Sequence, residues 1–206
     1  MNRLSMMVAA LMLAPAVLAA CSGGSADNSA YQQDSGSVVE IPARWATDIA
    51  SSVPALTHAS DVVFVGRVER PLPQRSEHLP GRANDGTGTE FPISAFEVTV
   101  ELVMNGPLSV GASVVVEQPG GKRTGSGGEH TVVLERDERI RPGQTYIFFA
   151  TQKENGTLTA PPFGRFVVGG DGKVDAPDAW RELPASQELS GLDVTVALAE
   201  IEGTGE

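Results

Sequence analysis

Ile93-Ser94-Ala95-Phe96-Glu97-Val98-Thr99-Val100-Glu101-Leu102-Val103 is the most regular stretch of the chain. Phe96, Val98, Val100 and Leu102 fall on one side of it, and Glu97, Thr99 and Glu101 on the other. A period of two belongs to a strand with one face buried and one wet, as in an antiparallel sheet. Upstream, Asp61-Val62-Val63-Phe64-Val65-Gly66-Arg67-Val68 is dense in β-branched residues and reads as a second strand. Downstream come Ala112 to Glu117, the short Thr131 to Leu134, and Thr145-Tyr146-Ile147-Phe148-Phe149-Ala150. The last of these is an aromatic run expected to lie centrally. Phe163 to Val168 and Lys173 to Val174 flank Gly169-Gly170-Asp171-Gly172, a hairpin turn.

Punctuation between these runs predicts the rest. Ser52 caps a short helix with Pro54 in its first turn, ending near Ala59. Residues 70–90, rich in Pro, Gly and Arg, read as a long mobile loop, and Pro119 to Gly128 as a glycine-rich one. Asn105-Gly106 and Arg141-Pro142-Gly143-Gln144 are turns. Leu192, Val196 and Ala199 recur at helical spacing and predict a closing helix within 189–201. Six or seven short strands with few helical residues predict a mainly β fold. The expected form is a small antiparallel β-barrel or curled sheet, OB-like, with short flanking helices.

At the other end, Met1 to Ser5 carries a single positive residue, Arg3, ahead of an apolar run from Met6 to Ala20. That is the layout of a secretory signal peptide, and it is shorter than the roughly 20 residues a membrane-spanning helix needs. The run ends Leu18-Ala19-Ala20-Cys21, which resembles the lipobox of bacterial lipoproteins. The resemblance implies cleavage between Ala20 and Cys21 and a diacylglycerol thioether on the Cys21 thiol. Acyl chains contribute about 0.8 kcal/mol per buried CH₂, so two or more hold a protein firmly. The chain then divides into a signal peptide (1–20), a lipidated Cys with a flexible Ser/Gly-rich tether (21–42), and one β-rich domain (43–206). The expected location is the extracytoplasmic face of the cell membrane. In a host with two membranes it is the periplasmic side or the outer membrane, since Ser22 permits outer-membrane sorting.

The order of helix, Asp-Val-Val-Phe-Val-Gly strand, long loop, alternating strand and aromatic strand is similar to exported bacterial domains with an OB-like or netrin/TIMP-like barrel. The likeness spans roughly residues 50–175. Netrin-like domains are usually stapled by disulfides, and TIMP-type inhibitors use a free N-terminal Cys. With Cys21 its only cysteine, and that one expected to be acylated, this chain takes neither property from them.

Composition narrows function by exclusion. Twenty-six acidic residues against 15 basic ones give a formal net charge of −11. That opposes binding to nucleic acid, whose phosphates demand clustered Lys and Arg. One cysteine leaves no Cys-based zinc cluster. His58, His78 and His130 sit in separate elements without ligand spacing, so no metal is expected. No G-x-S-x-G surrounds any serine; Gly125-Ser126-Gly127 lacks the elbow that would expose its hydroxyl. Gly120-Gly121-Lys122-Arg123-Thr124 departs from a phosphate loop in glycine spacing and magnesium ligand, and reads as a hairpin loop. Asp171-Gly172-Lys173-Val174-Asp175 lacks the closing Glu of a calcium loop. Glu97 and Glu101 read as solvent-facing. Arg67, Arg70, Arg75 and Arg82 form either a solvated surface or a basic rim for an anionic envelope polymer. No catalytic residue and no cofactor is assigned. The reading is a lipid-anchored binding or structural module of the envelope, its membrane contact made through Cys21 and its protein or polymer partner unidentified. A small hydrolase and a small-molecule carrier are the alternatives.

Overall fold

The computed structural model describes residues 37–79, 89–125 and 128–203. They belong to one compact unit, Gly36–Glu206. Ten strands and three short α-helices follow in the order β1 (Ser37–Ile41), α1 (Val53–His58), β2 (Val62–Leu79), β3 (Thr89–Asn105), β4 (Ser113–Pro119), β5 (Gly121–Gly125), β6 (Gly128–Leu134), β7 (Thr145–Gln152), β8 (Leu158–Thr159), β9 (Arg165–Val168), β10 (Val174–Asp175), α2 (Pro184–Leu189) and α3 (Val194–Glu202). The fold is mainly β, as expected, with short flanking helices.

Seven strands form one sheet in the order β10-β9-β7-β2-β3-β4-β8, and β7 also pairs with β8. Hydrogen bonding therefore runs β2-β3-β4-β8-β7 and back to β2. All contacts in this circuit are antiparallel except that between β4 and β8. Only two residue pairs join β8 to each neighbour, so the sheet curls into a partial barrel with a narrow seam. Strands packed this way lose both faces to the interior. Inside the curl lie Phe64, Phe96, Val98, Val116, Phe148 and Leu158. The outer face, with Val63, Val65, Ile147, Phe149 and Phe166, is covered by Leu56 of α1, Leu189 of α2, Ala197 and Ile201 of α3, and Trp180. Double-sided burial is why Val62 to Val65 and Tyr146 to Ala150 read as unbroken apolar runs.

The helix caps follow from local chemistry. Ser52 Oγ accepts the Ala55 N–H at 3.2 Å, and Glu188 Oε2 from α2 accepts the Val53 N–H at 2.8 Å. Two donors that the helix cannot satisfy internally are thus capped, one from within and one from a neighbour.

Six expectations are corrected. Residues 70–79, expected in a loop, continue β2 opposite β3 as far as the Leu79–Thr89 pair. Prolines usually leave a ladder because they carry no N–H, but Pro73 sits in the register shift between Leu72 and Arg75, where the ladder is already interrupted. Residues 37–41, expected in the tether, form β1, parallel to β6. Its Val38 and Val39 are exposed, so the strand is held by backbone pairing and carries little apolar signal. Within the expected loop 119–128, residues 121–125 form β5 beside β6. Gly120 and Gly121 carry φ +97° and +150°, and a Cβ on Gly120 would stand 2.7 Å from the Val132 carbonyl oxygen, so glycine alone makes this corner. Leu102 is exposed because β3 shifts register between the Val65–Leu102 and Gly66–Val100 pairs, which turns the alternation over. The closing helix exists, but it buries Ala197 and Ile201 and leaves Val196 48% exposed. The expected count of six or seven strands is low because β1 and β5 bury little and β8 is only two residues long.

β1, β6 and β5 make a second, three-stranded sheet. It meets the far end of the β2–β3 hairpin through Ser94 N–H to Gly120 O (3.0 Å) and Gly120 N–H to Pro92 O (2.8 Å). Phe91, Ile93 and Val132 form the small apolar cluster between them.

Candidate functional site

The segment between β6 and β7 reads Glu135-Arg136-Asp137-Glu138-Arg139-Ile140-Arg141. So much charge between two apolar strands stays near the surface unless something pins it. Gln118 of β4, only 1% exposed, does so. Its Nε2 donates to Asp137 Oδ1 (2.8 Å) and to the Glu138 carbonyl (2.9 Å), and its Oε1 accepts the Ile140 N–H (3.0 Å). On the opposite side Arg136, at φ +61°, lays its guanidinium 4.1 Å from the centre of the Trp180 ring. Trp180 Nε1 returns a hydrogen bond to the Arg136 carbonyl at 2.7 Å.

Asp137 also pairs with Arg165 of β9, and both side chains are nearly closed off from water, at 2% and 3% exposure. Arg165 points to the inner side of the curl, next to Val167 and across from Phe148. One of its terminal nitrogens, Nη2, is occupied by Asp137. Nε and Nη1 are buried and have no hydrogen-bond partner. Buried donors of a charged group are almost always satisfied, so two open ones on one guanidinium mark a place where a ligand atom or water belongs.

Arg165 also lines a cleft of about 250 Å³ at the mouth of the curl, between the pinned segment, β9 and the turn after β10. Arg141, Gln144, Tyr146, Arg165, Val167 and Arg181 are among the residues that line it. The Tyr146 hydroxyl donates to Gln144 Oε1 at 2.8 Å and accepts the Arg141 N–H at 3.1 Å. Burial pushes its pKa up, which keeps the phenol protonated. Arg181 at the rim is balanced by Asp178 (2.9 Å) and Asp175 (3.3 Å). Arg165 thus stands at the closed side of the cleft with its charge matched by Asp137, and Arg141 reaches the cleft from the exposed side.

A second charged cluster is structural. Glu117 of β4 is 3% exposed and takes Arg75 Nε and Nη2, each at 2.8 Å, and Lys153 Nζ at 2.9 Å. The Arg75 guanidinium holds its carboxyl well below the usual range, at about 2. This clamp ties the β2–β3 hairpin to β4 and to the end of β7.

The residues singled out in the sequence lie elsewhere. Ala20 and Cys21 fall outside the described residues, as do Arg82 and Ser126. Arg70 pairs with Glu97 at 2.7 Å and Arg75 with Glu117, so neither contributes free positive charge to a rim. Glu97 is half-buried rather than solvent-facing and also accepts the Ser113 hydroxyl at 2.9 Å; Glu101 is exposed. Lys122 lies in β5 and pairs with Glu129 at 3.3 Å. Asp171 accepts the Lys173 N–H at 3.1 Å, as a turn residue does. His58 ends α1, His78 Nδ1 lies 3.3 Å from Glu90 Oε1, and His130 is in β6. Among the described residues, no group of three or more His, Cys, Asp or Glu is placed to hold a metal ion.

Sequence reasoning missed Gln118, Asp137, Tyr146 and Arg165. Two signals were present: the charge-dense run 135–141, and Arg165 as the sole charge in Phe163-Gly164-Arg165-Phe166-Val167-Val168. Among the described residues, no helix is long and apolar enough to cross a membrane. No protein-family model matches the chain, and no curated protein is similar to it.

Proposed function

We propose that this protein is a lipid-anchored, extracytoplasmic, non-catalytic binding module, moored through Cys21 and binding its ligand at the mouth of the curled sheet. The observation that carries the binding half is the buried Arg165 guanidinium, pinned by Asp137 with two donors to spare beside an open cleft. A rigid β scaffold that presents a preorganised polar recess suits recognition, because little ordering remains to be done when the ligand arrives. The lipobox Leu18-Ala19-Ala20-Cys21 supports the anchoring half. Residues 22–36 are then the spacer between lipid and β1. An anchor frees the acidic domain from any need to bind anionic lipid, which its charge opposes.

Two measurements test the two halves separately. Mass analysis of the protein from its native membrane should show an acylated Cys21 at the N-terminus; a chain retaining residues 1–20 or a free thiol overturns the anchoring. Crosslinking in the intact envelope should capture a ligand or partner on residues of the cleft. Turnover of a substrate by the purified domain, abolished by substitutions in the cleft, would replace binding with catalysis.

A further inference from the structure

We propose that the cleft at the mouth of the curl takes the oxyanion group, carboxylate or phosphate monoester, of a small organic molecule. This deepens the binding-module reading and rests on it. Arg165 is the core of the argument. It lies at 3% exposure, has one carboxylate partner, and leaves Nε and Nη1 without acceptors. Such a guanidinium has little freedom to turn elsewhere, because its partner Asp137 is itself fixed by Gln118. Its open donors therefore keep fixed directions. They lie on different edges of the guanidinium, so an oxyanion meets one of them through a single charge-assisted oxygen, a stronger acceptor than a neutral water.

The surroundings select sign and size. Arg141 adds a positive charge from the exposed side, and the protonated Tyr146 hydroxyl also lines the cleft, tied to Gln144 and to the Arg141 N–H. The acids at the cleft have partners of their own. Asp175 and Asp178 balance Arg181, and Glu138 Oε1 accepts the Asp178 N–H at 2.7 Å. Val167, Ile140 and Pro177 supply an apolar wall, so the recess suits an anion with a modest hydrocarbon body. A volume of about 250 Å³ excludes a folded polymer and admits only a small molecule or a terminal group. The protein's overall negative charge opposes the approach of anions, so one that binds must be held by these local contacts.

Heteronuclear NMR of the full chain tests this directly, with the Arg165 Nε–H signal as reporter. Inorganic phosphate and propionate are titrated in separate arms at constant ionic strength, with chloride as the control. The expected result is a saturable shift of the Arg165 signal in at least one arm, none with chloride, and none at Arg75 in any arm. The arm that saturates assigns the phosphate or the carboxylate source. Arg141→Ala, at an exposed position, should weaken that binding about tenfold, the loss of one charge-assisted contact. Absence of a saturable shift with both anions overturns the proposal, as does a shift that Arg141→Ala leaves unchanged. If the shift is absent while crosslinking still captures a partner on cleft residues, the oxyanion assignment falls and the binding-module reading stands.

Discussion

Asp137 and Arg165, 28 positions apart, form an ion pair almost wholly excluded from water, with Gln118 holding the carboxylate from behind. Removing one partner of such a pair strands the other charge in a medium that solvates it poorly. Asp137→Ala should therefore cost about 3–5 kcal/mol in urea unfolding. Arg181→Ala at the exposed rim, whose partners are in water, should cost about 0–1 kcal/mol. Similar losses for the two variants would mean that the pair is not closed off as described.

Glu117 sets the acid limit of the fold. Its carboxyl sits at about 2, against an ordinary 4.5, so folding favours the ionised form. The stability it supplies is present in full above pH 4.5 and is lost as the pH falls through about 2. Because Arg75 and Lys153 reach it from partly exposed positions, about 1–3 kcal/mol is expected after screening. Urea midpoints followed from neutral to acid pH should show this loss, and Glu117→Gln should flatten it.

Gly66 lies on the inner side of β2, where a Cβ would stand 2.6 Å from Val98 Cγ1 and 2.8 Å from the Phe64 ring. Both neighbours are fully buried and cannot swing away. Gly66→Ala should destabilise by about 1–3 kcal/mol through overpacking. A neutral or stabilising effect in thermal unfolding would show that the inside of the curl has slack.

The two faces of α3 should separate cleanly. Ile201→Ala removes a side chain at 2% exposure from the outer core and should cost about 2–5 kcal/mol. Val196→Ala, on the wet face, should stay within about 0.5 kcal/mol. The opposite ranking would restore the helix face expected from the spacing of Leu192, Val196 and Ala199.

What could be read in the sequence was whatever burial writes into side-chain type. Val62 to Val65 and Tyr146 to Ala150 are sandwiched between the inner core and the helices, so every position is apolar and the strands are plain. Ser52 and Pro54 marked the start of α1 for the same local reasons that cap it. Elements held by backbone pairing left no such trace. β1 exposes Val38 and Val39, and the outer part of β2 hides its ladder behind Pro71 and Pro73. The cleft was illegible for a different reason. Tyr146 and Arg165 line it, Asp137 and Gln118 stand behind Arg165, and only the curl of the sheet brings these four segments together. No short-range spacing encodes that.

β7 is hydrogen-bonded to β2 along one edge and to β9 and β8 along the other, and residues 146–150 are hidden on both faces. No partial opening of a hairpin or helix can let solvent reach its amides. In deuterium exchange, the Ile147, Phe148 and Phe149 N–H groups should be the slowest in the molecule, releasing only when the entire domain comes apart. Their exchange rate thus serves as a built-in gauge of global stability, readable without any denaturant.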